Sequence, residues 1–219
     1  MTAKKRFDPT LYLVTDRRFL RHLSLAELVA RAVAAGVTMV QLREKECPAR
    51  EFYELALLLK QILPAGIALM INDRLDIALA AKADGVHLGQ EDLPVEKARA
   101  LIGPEAIIGL TINNLEQLKE AEKLPVDYLA ISPIFPTPTK TDTGPPWGPQ
   151  GLARARKLAE KPLVAIGGLN EANVSQVIKA GADGIAVVSA ICGAEDPEKA
   201  SRTLRRLIEE ARELRKNDS

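Results

Sequence analysis

Eight short apolar runs, each followed by a stretch with helical spacing, constrain this chain more than any other feature. The runs lie at 11–14, 37–42, 67–71, 85–88, 106–110, 128–131, 163–166 and 185–188. They are rich in Val, Ile and Leu on both faces, the pattern of parallel strands covered on both sides. Between them the spacing predicts helices. Residues 25–33 carry apolar residues at helical intervals and end at Gly36, with Ser24 placed as N-cap and Glu27 placed to complete a capping box. Residues 49–63 repeat the pattern and stop at Pro64. Further helices are expected near 73–82, 94–102, 114–123, 149–160, 170–180 and 196–215. The connections are short, so each unit is a βα step.

Eight such steps in 219 residues fit an α/β fold, a closed (β/α)8 TIM barrel spanning 1–219 as one domain. Residues 1–9 are expected to be an N-terminal extension and 216–219 a frayed tail. An open doubly wound sheet is the alternative; no GxGxxG fingerprint follows the first run, which disfavours it. Two segments resemble each other, 80–86 (Ala-Ala-Lys-Ala-Asp-Gly-Val) and 177–185 (Val-Ile-Lys-Ala-Gly-Ala-Asp-Gly-Ile). Each reads as helix, tight turn and strand, with a glycine entering the strand. The one long connection, 132–148, is rich in Pro, Thr and Gly, and connections of that length are functional or disordered.

Composition narrows the partners. The net charge of +1 provides no global field for nucleic acid or an anionic membrane, so any anion must be held by a local cluster. Cys47 and Cys192 lack CxxC spacing and read as free thiols of a reducing compartment. The charged N-terminus has no apolar signal-peptide core, and no apolar stretch is long enough for a bilayer. The expectation is a cytoplasmic protein that handles small molecules. No oligomeric state is assigned.

The polar residues after the runs would converge on one face of a barrel, its carboxyl-terminal mouth. Gln41, Arg43 and Lys45 alternate with Leu42 and Glu44; strand periodicity puts two cations and an amide on one side. Asn72-Asp73 follow the third run and Asp92 follows the fourth. Each aspartate alone reads first as a helix cap, but two carboxylates from neighbouring strand ends beside an Arg/Lys cluster suit Mg²⁺. Thr111 follows the fifth run. The stretch Pro136-Thr137-Pro138-Thr139-Lys140 offers two hydroxyls and a cation on a stiff loop, or is a plain surface turn. Gly167-Gly168, with Asn170 as N-cap, and Ser189 follow the last two runs, where this fold habitually binds phosphate. His87 reads as a packed, satisfied residue. Trp147 could close a lid or merely pack one. Together these residues suggest two anion sites, one metal-assisted and one a phosphate cup.

In these motifs the chain resembles the thiamine-phosphate synthase family. The resemblance runs from about Leu11 to Glu209. It rests on Tyr12-Leu13-Val14-Thr15-Asp16, Gln41-Leu42-Arg43-Glu44-Lys45, Ile71-Asn72-Asp73-Arg74, Val86 through Asp92, Ser132 through Lys140, Ala165 through Leu169 and Val187 through Ile191. The resemblance implies an enzyme, a transferase of thiamine biosynthesis. It would join hydroxymethylpyrimidine diphosphate to hydroxyethylthiazole phosphate and release pyrophosphate. It also implies that Gln41, Leu42, Arg43, Glu44, Lys45 and Asn72 hold the pyrimidine diphosphate, with Thr111 where the family commonly has Ser. Asp73 and Asp92 would ligate Mg²⁺. Thr137, Pro138 and Thr139 would contact the thiazole phosphate, with Gly168, Val188 and Ser189 around it. Arg43, Lys45 and Lys140 would be the catalytic cations. A thiazole tautomerase paralogue is the neighbouring alternative; it lacks the Pro-Thr-x-Thr-Lys loop and carries a catalytic His where this chain has Asn113. A non-catalytic phosphate-binding protein on the same scaffold is the third reading.

Overall fold

A computed structural model describes residues 7–137 and 144–217. Among these residues, eight parallel strands pair in sequence order and close: β1 (Leu11–Val14), β2 (Met39–Leu42), β3 (Ala68–Asn72), β4 (Gly85–Leu88), β5 (Ile107–Ile112), β6 (Tyr128–Ile131), β7 (Leu163–Ile166) and β8 (Gly184–Val187), with β8 returning to β1. Helices α1 (Leu25–Ala34), α2 (Ala49–Ile62), α3 (Leu75–Ala80), α4 (Val95–Ile102), α5 (Leu115–Ala121), α6 (Gly148–Leu158), α7 (Val174–Lys179), the short α8 (Ser189–Cys192) and α9 (Pro197–Asn217) surround it. The molecule is the expected (β/α)8 barrel.

Strand periodicity divides the core in two. Leu11, Leu13, Val40, Leu42, Leu69, Ile71, Val86 and Leu88 point outward onto the helices. Tyr12, Val14, Met39, Met70, Ile107, Tyr128 and Val164 fill the inside. Phe7, from the expected extension, packs on Tyr128 with ring centroids 5.5 Å apart and belongs to that inner layer. At the other terminus α9 continues through Asn217, into the expected tail.

The foot of the barrel uses one device four times. The side chains of Thr38, Asp84, Asp127 and Asp183 accept from the backbone N–H of Leu11, Leu69, Ile108 and Leu163, at 3.0, 2.9, 2.9 and 2.8 Å. Each thereby ties the entry of an even strand to the odd strand before it. Lys60, Arg99 and Arg156 pair with the three carboxylates. This accounts for the internal repeat around Asp84-Gly85 and Asp183-Gly184. A Cβ at Gly85 would lie 2.0 Å from the Ile107 carbonyl oxygen, and one at Gly184 would lie 1.8 Å from that of Pro9.

Several local expectations are corrected. Thr111 lies inside β5 rather than after it, and Asn72 is the last residue of β3. Ser189 follows β8 as expected and begins α8. Asn173, not Asn170, stands at the start of α7; the Asn170 carboxamide instead accepts from the Ala172 N–H. Ser24 and Glu27 form the capping box as expected.

Candidate active site

A cavity of about 790 Å³ opens at the carboxyl ends of the strands, within the range of ligand sites. Residues from all eight strand ends line it. One wall carries Gln41, Arg43, Lys45, Asn72, Asp73, Asp92 and Thr111, and the other carries Gly167, Gly168, Val188, Ser189 and Ala190. Pro136 and Thr137 reach the rim.

The cationic side is built from β1 and β2. Beyond Leu42 the strand ends, and the Arg43 N–H bonds to Thr15 Oγ1 at 3.1 Å. The Arg43 guanidinium donates to Asp16 Oδ2 at 3.0 Å. Burial opposes charge on Asp16, but hydrogen bonds from Arg18 and the charges of Arg18 and Arg43 hold its carboxyl below the usual value. Arg43 is therefore oriented from behind. Leu42 and Glu44 do not line the cavity. Leu42 is buried in the outer core, and Glu44 pairs with Arg17 at 2.9 Å. Their side chains thus face away from the cavity, Leu42 by strand alternation and Glu44 through its pairing with Arg17.

The acidic side comes from β3 and β4. Asp73 has φ of 60°, the left-handed region that non-glycine residues seldom occupy. Its N–H bonds to the His87 carbonyl at 2.9 Å, and Lys45 Nζ lies 2.6 Å from its carboxylate. Strain of this kind concentrates at functional sites. Asp92 Oδ2 accepts from the Gly89 N–H at 2.6 Å. The two carboxyl groups are close enough to shift each other's titration. Burial raises Asp92, and the neighbouring Asp73 charge raises it further. Asp73 stays low, against burial, because Lys45 bonds to it. Two carboxyl groups this close repel when both are ionised unless a cation lies between them. Neither caps a helix: Arg74 stands at the start of α3 and Pro94 at the start of α4. Among the described residues no three His, Cys, Asp or Glu are arranged to enclose a metal. A pair of aspartates fits a hard cation that completes its shell with water and phosphate oxygens.

Opposite, Gly167 and Gly168 have φ of 100° and 66°. The connection after β6 runs against them, with the Phe135 N–H bonded to the Gly167 carbonyl at 3.0 Å. A Cβ on Gly168 would come within 2.7 Å of the Pro136 carbonyl oxygen. Trp147 holds the return of that connection: its indole N–H donates to the Ser132 carbonyl at 3.2 Å. Pro138, Thr139 and Lys140 lie outside the described residues.

Tyr12, His87, Gln90, Asn113, Gln117 and Ser132 also line the cavity. Tyr12 and His87 occupy inward strand positions, but both lie within apolar runs, where a tyrosine or a lone histidine reads as core. Gln90 donates to the Thr111 carbonyl, and Gln117 accepts from the Asn113 N–H at 2.8 Å.

The family model described as thiamine monophosphate synthase matches residues 11–191. A thiamine-phosphate synthase of Albidiferax ferrireducens is 56% identical over 200 residues, covering 91% of each chain. One of Syntrophomonas wolfei is 55% identical over 203 residues, covering 92% of this chain and 97% of the relative. Among solved structures, a thiamine phosphate pyrophosphorylase of Pyrococcus furiosus superposes with a TM-score of 0.85 at 41% identity, covering 93% of this chain and 97% of its own. A 3-hexulose-6-phosphate synthase, at 21% identity and a TM-score of 0.70, shares the barrel alone.

Proposed function

The chain belongs to the thiamine monophosphate synthase family, and from that premise we propose that it condenses 4-amino-5-hydroxymethyl-2-methylpyrimidine diphosphate with 4-methyl-5-(2-hydroxyethyl)thiazole phosphate. The products are thiamine phosphate and pyrophosphate. The observation that carries this reading is the pairing of two unlike poles in one cavity: Arg43, Lys45, Asp73 and Asp92 on one wall, and the Gly167-Gly168 and Ser189 end on the other. A single monophosphate needs only the second pole. Two phosphorylated substrates need both.

In this reading Asp73 and Asp92 hold Mg²⁺, which when bound neutralises diphosphate charge and eases its departure. Arg43 and Lys45 grip the same diphosphate, and Lys140 supplies a further cation. Asn72 and Thr111 offer hydrogen bonds to it. The bond between the pyrimidine methylene carbon and the diphosphate oxygen breaks, and its electron pair leaves with pyrophosphate. The aminopyrimidine ring stabilises the resulting methylene cation. The thiazole nitrogen then donates its lone pair to that carbon. This nitrogen carries no proton, so the step needs no general base. Fixed cations aimed at the developing charge provide the electrostatic stabilisation. The Gly168, Val188 and Ser189 backbone holds the thiazole phosphate, helped by Thr137, Pro138 and Thr139. The 132–148 connection excludes water from the cation.

The metal assignment has a direct test. Turnover abolished by EDTA should return on adding Mg²⁺, and folded Asp73→Asn or Asp92→Asn should lose activity about 100-fold or more. Full activity in EDTA would contradict the assignment. The tautomerase alternative is weakened by Asn113, which lines the cavity where that reading needs a histidine. Loss of pyrimidine-dependent pyrophosphate release with retained thiazole tautomer conversion would revive it.

A further inference from the structure

Beneath the cavity the polar residues inside the barrel form one connected chain whose middle members, Tyr12, Tyr128 and His87, have no part in the chemistry above. Gln41 Nε2 donates to the Tyr12 hydroxyl at 2.6 Å. The Tyr12 and Tyr128 hydroxyls are 3.0 Å apart. Tyr128 lies 2.8 Å from His87 Nδ1, and His87 Nε2 lies 2.9 Å from Thr111 Oγ1. The chain thus crosses the barrel from β2 through β1, β6 and β4 to β5. Gly109 makes room for it. A Cβ there would lie 2.1 Å from the Tyr128 ring and 2.5 Å from His87 Nδ1.

With Gln41 donating, a single direction lets every hydroxyl and the imidazole of this chain both accept and donate. Burial pushes both phenols well above their ordinary range, so each keeps its single proton. The Tyr12 hydroxyl accepts a hydrogen bond from the Gln41 amide, and the partner left within the chain for its own O–H is the Tyr128 oxygen. Tyr128 has then accepted, and gives its proton to His87 Nδ1. A neutral imidazole that accepts at Nδ1 carries its proton on Nε2. That N–H donates to Thr111 Oγ1, and the threonine proton is left for the cavity that Thr111 lines.

We propose that His87 is a positioning residue: through the Gln41–Tyr12–Tyr128–His87 chain it holds Thr111 as an obligate donor toward an anionic oxygen, with Gln41 Oε1 left as the acceptor at the far end. The two ends are thereby linked. The ligand must present an acceptor at Thr111 and an N–H donor at Gln41. This inference rests on the functional reading above, in which one substrate carries both a diphosphate and a ring amine.

Two measurements on the intact protein test it. The chain has two histidines, so histidine ¹⁵N NMR gives two ring systems, and His22→Asn at an exposed loop assigns them. His87 should be the neutral Nε2–H tautomer; an Nδ1–H tautomer or an imidazolium at neutral pH overturns the proposal. Binding of magnesium pyrophosphate is then measured by calorimetry in Thr111→Val, His87→Leu and the double variant. Each single change should weaken binding about tenfold, the loss of one hydrogen bond to a charged group. The double variant should be no weaker than Thr111→Val alone; additive losses overturn the proposal. The tautomer needs no variant at the site, so a His87→Leu chain that fails to fold leaves that test intact. Absence of synthase turnover with the expected tautomer would count against the functional reading only.

Discussion

At the residue scale, the site depends on a few side chains held in costly or crowded positions. Asp73 sits in the left-handed region, Asp16 is buried between Arg18 and Arg43, and Gly168 lies under the Pro136 carbonyl. Asp16 should matter doubly. Asp16→Asn frees the Arg43 guanidinium and should weaken binding of the diphosphate substrate about tenfold, read as a rise in its KM. It should also change acid stability. The folded-state pKa of Asp16 is depressed, so its contribution is fully present above the unfolded value of about 3.9 and is lost as pH falls through the lower folded value. Wild type should therefore exceed Asp16→Asn in urea stability at pH 7 and converge on it in strong acid; a constant difference across pH would contradict the ion-pair account. Most cavity-lining residues were legible because they lie at or just after the ends of apolar runs: Gln41, Arg43, Lys45, Asn72, Asp73, Asp92, Gly168 and Ser189 all line the cavity. Tyr12 was not, because an inward tyrosine in an apolar run carries no signal separating core from cavity floor. Leu42 and Glu44 came with the family motif, and strand alternation had already put them on the other side.

At the scale of elements, legibility follows length and periodicity. The first, fourth, sixth and seventh runs coincide with β1, β4, β6 and β7. The second run overstates β2, because Val37 and Thr38 belong to the turn from α1, where Val37 N–H bonds to the Ala32 carbonyl. The fifth run stops short of β5, because Thr111 breaks the apolar pattern while its backbone continues to pair with Ala130. Helix α8 has four residues, too few for any period to register. Signals with a local mechanism held best. Ser24 and Glu27 satisfy each other's orphaned backbone groups at the start of α1. Ser24→Ala should cost about 1 kcal/mol in denaturant unfolding with KM unchanged for both substrates; an equal loss at an uncapped exposed position would deny the cap its role.

At the scale of the whole molecule, the barrel separates stability from chemistry along its axis. The foot is closed by Thr38, Asp84, Asp127 and Asp183, each stapling neighbouring strands, while the mouth carries the ionisable groups of the cavity. Asp127 is the most buried of the three carboxylates by side chain and pairs with Arg99, the most sheltered of the three cations. Asp127→Ala should cost about 3 kcal/mol of unfolding free energy, because it leaves that guanidinium without its counter-charge. Activity of the surviving folded fraction should be unchanged, as no foot residue reaches the cavity. The barrel itself was legible from eight βα steps in this length. What the sequence left hidden is the polar chain through its interior, which depends on which strands face one another across the barrel. In the proposed reaction one cavity joins two phosphorylated substrates. The most direct measurement is product analysis of the purified protein incubated with both substrates and Mg²⁺, following thiamine phosphate and pyrophosphate together. Equal molar amounts of the two are expected, and no thiamine phosphate when either substrate is withheld. Pyrophosphate without thiamine phosphate, or neither product from a folded sample that binds both substrates, would contradict it.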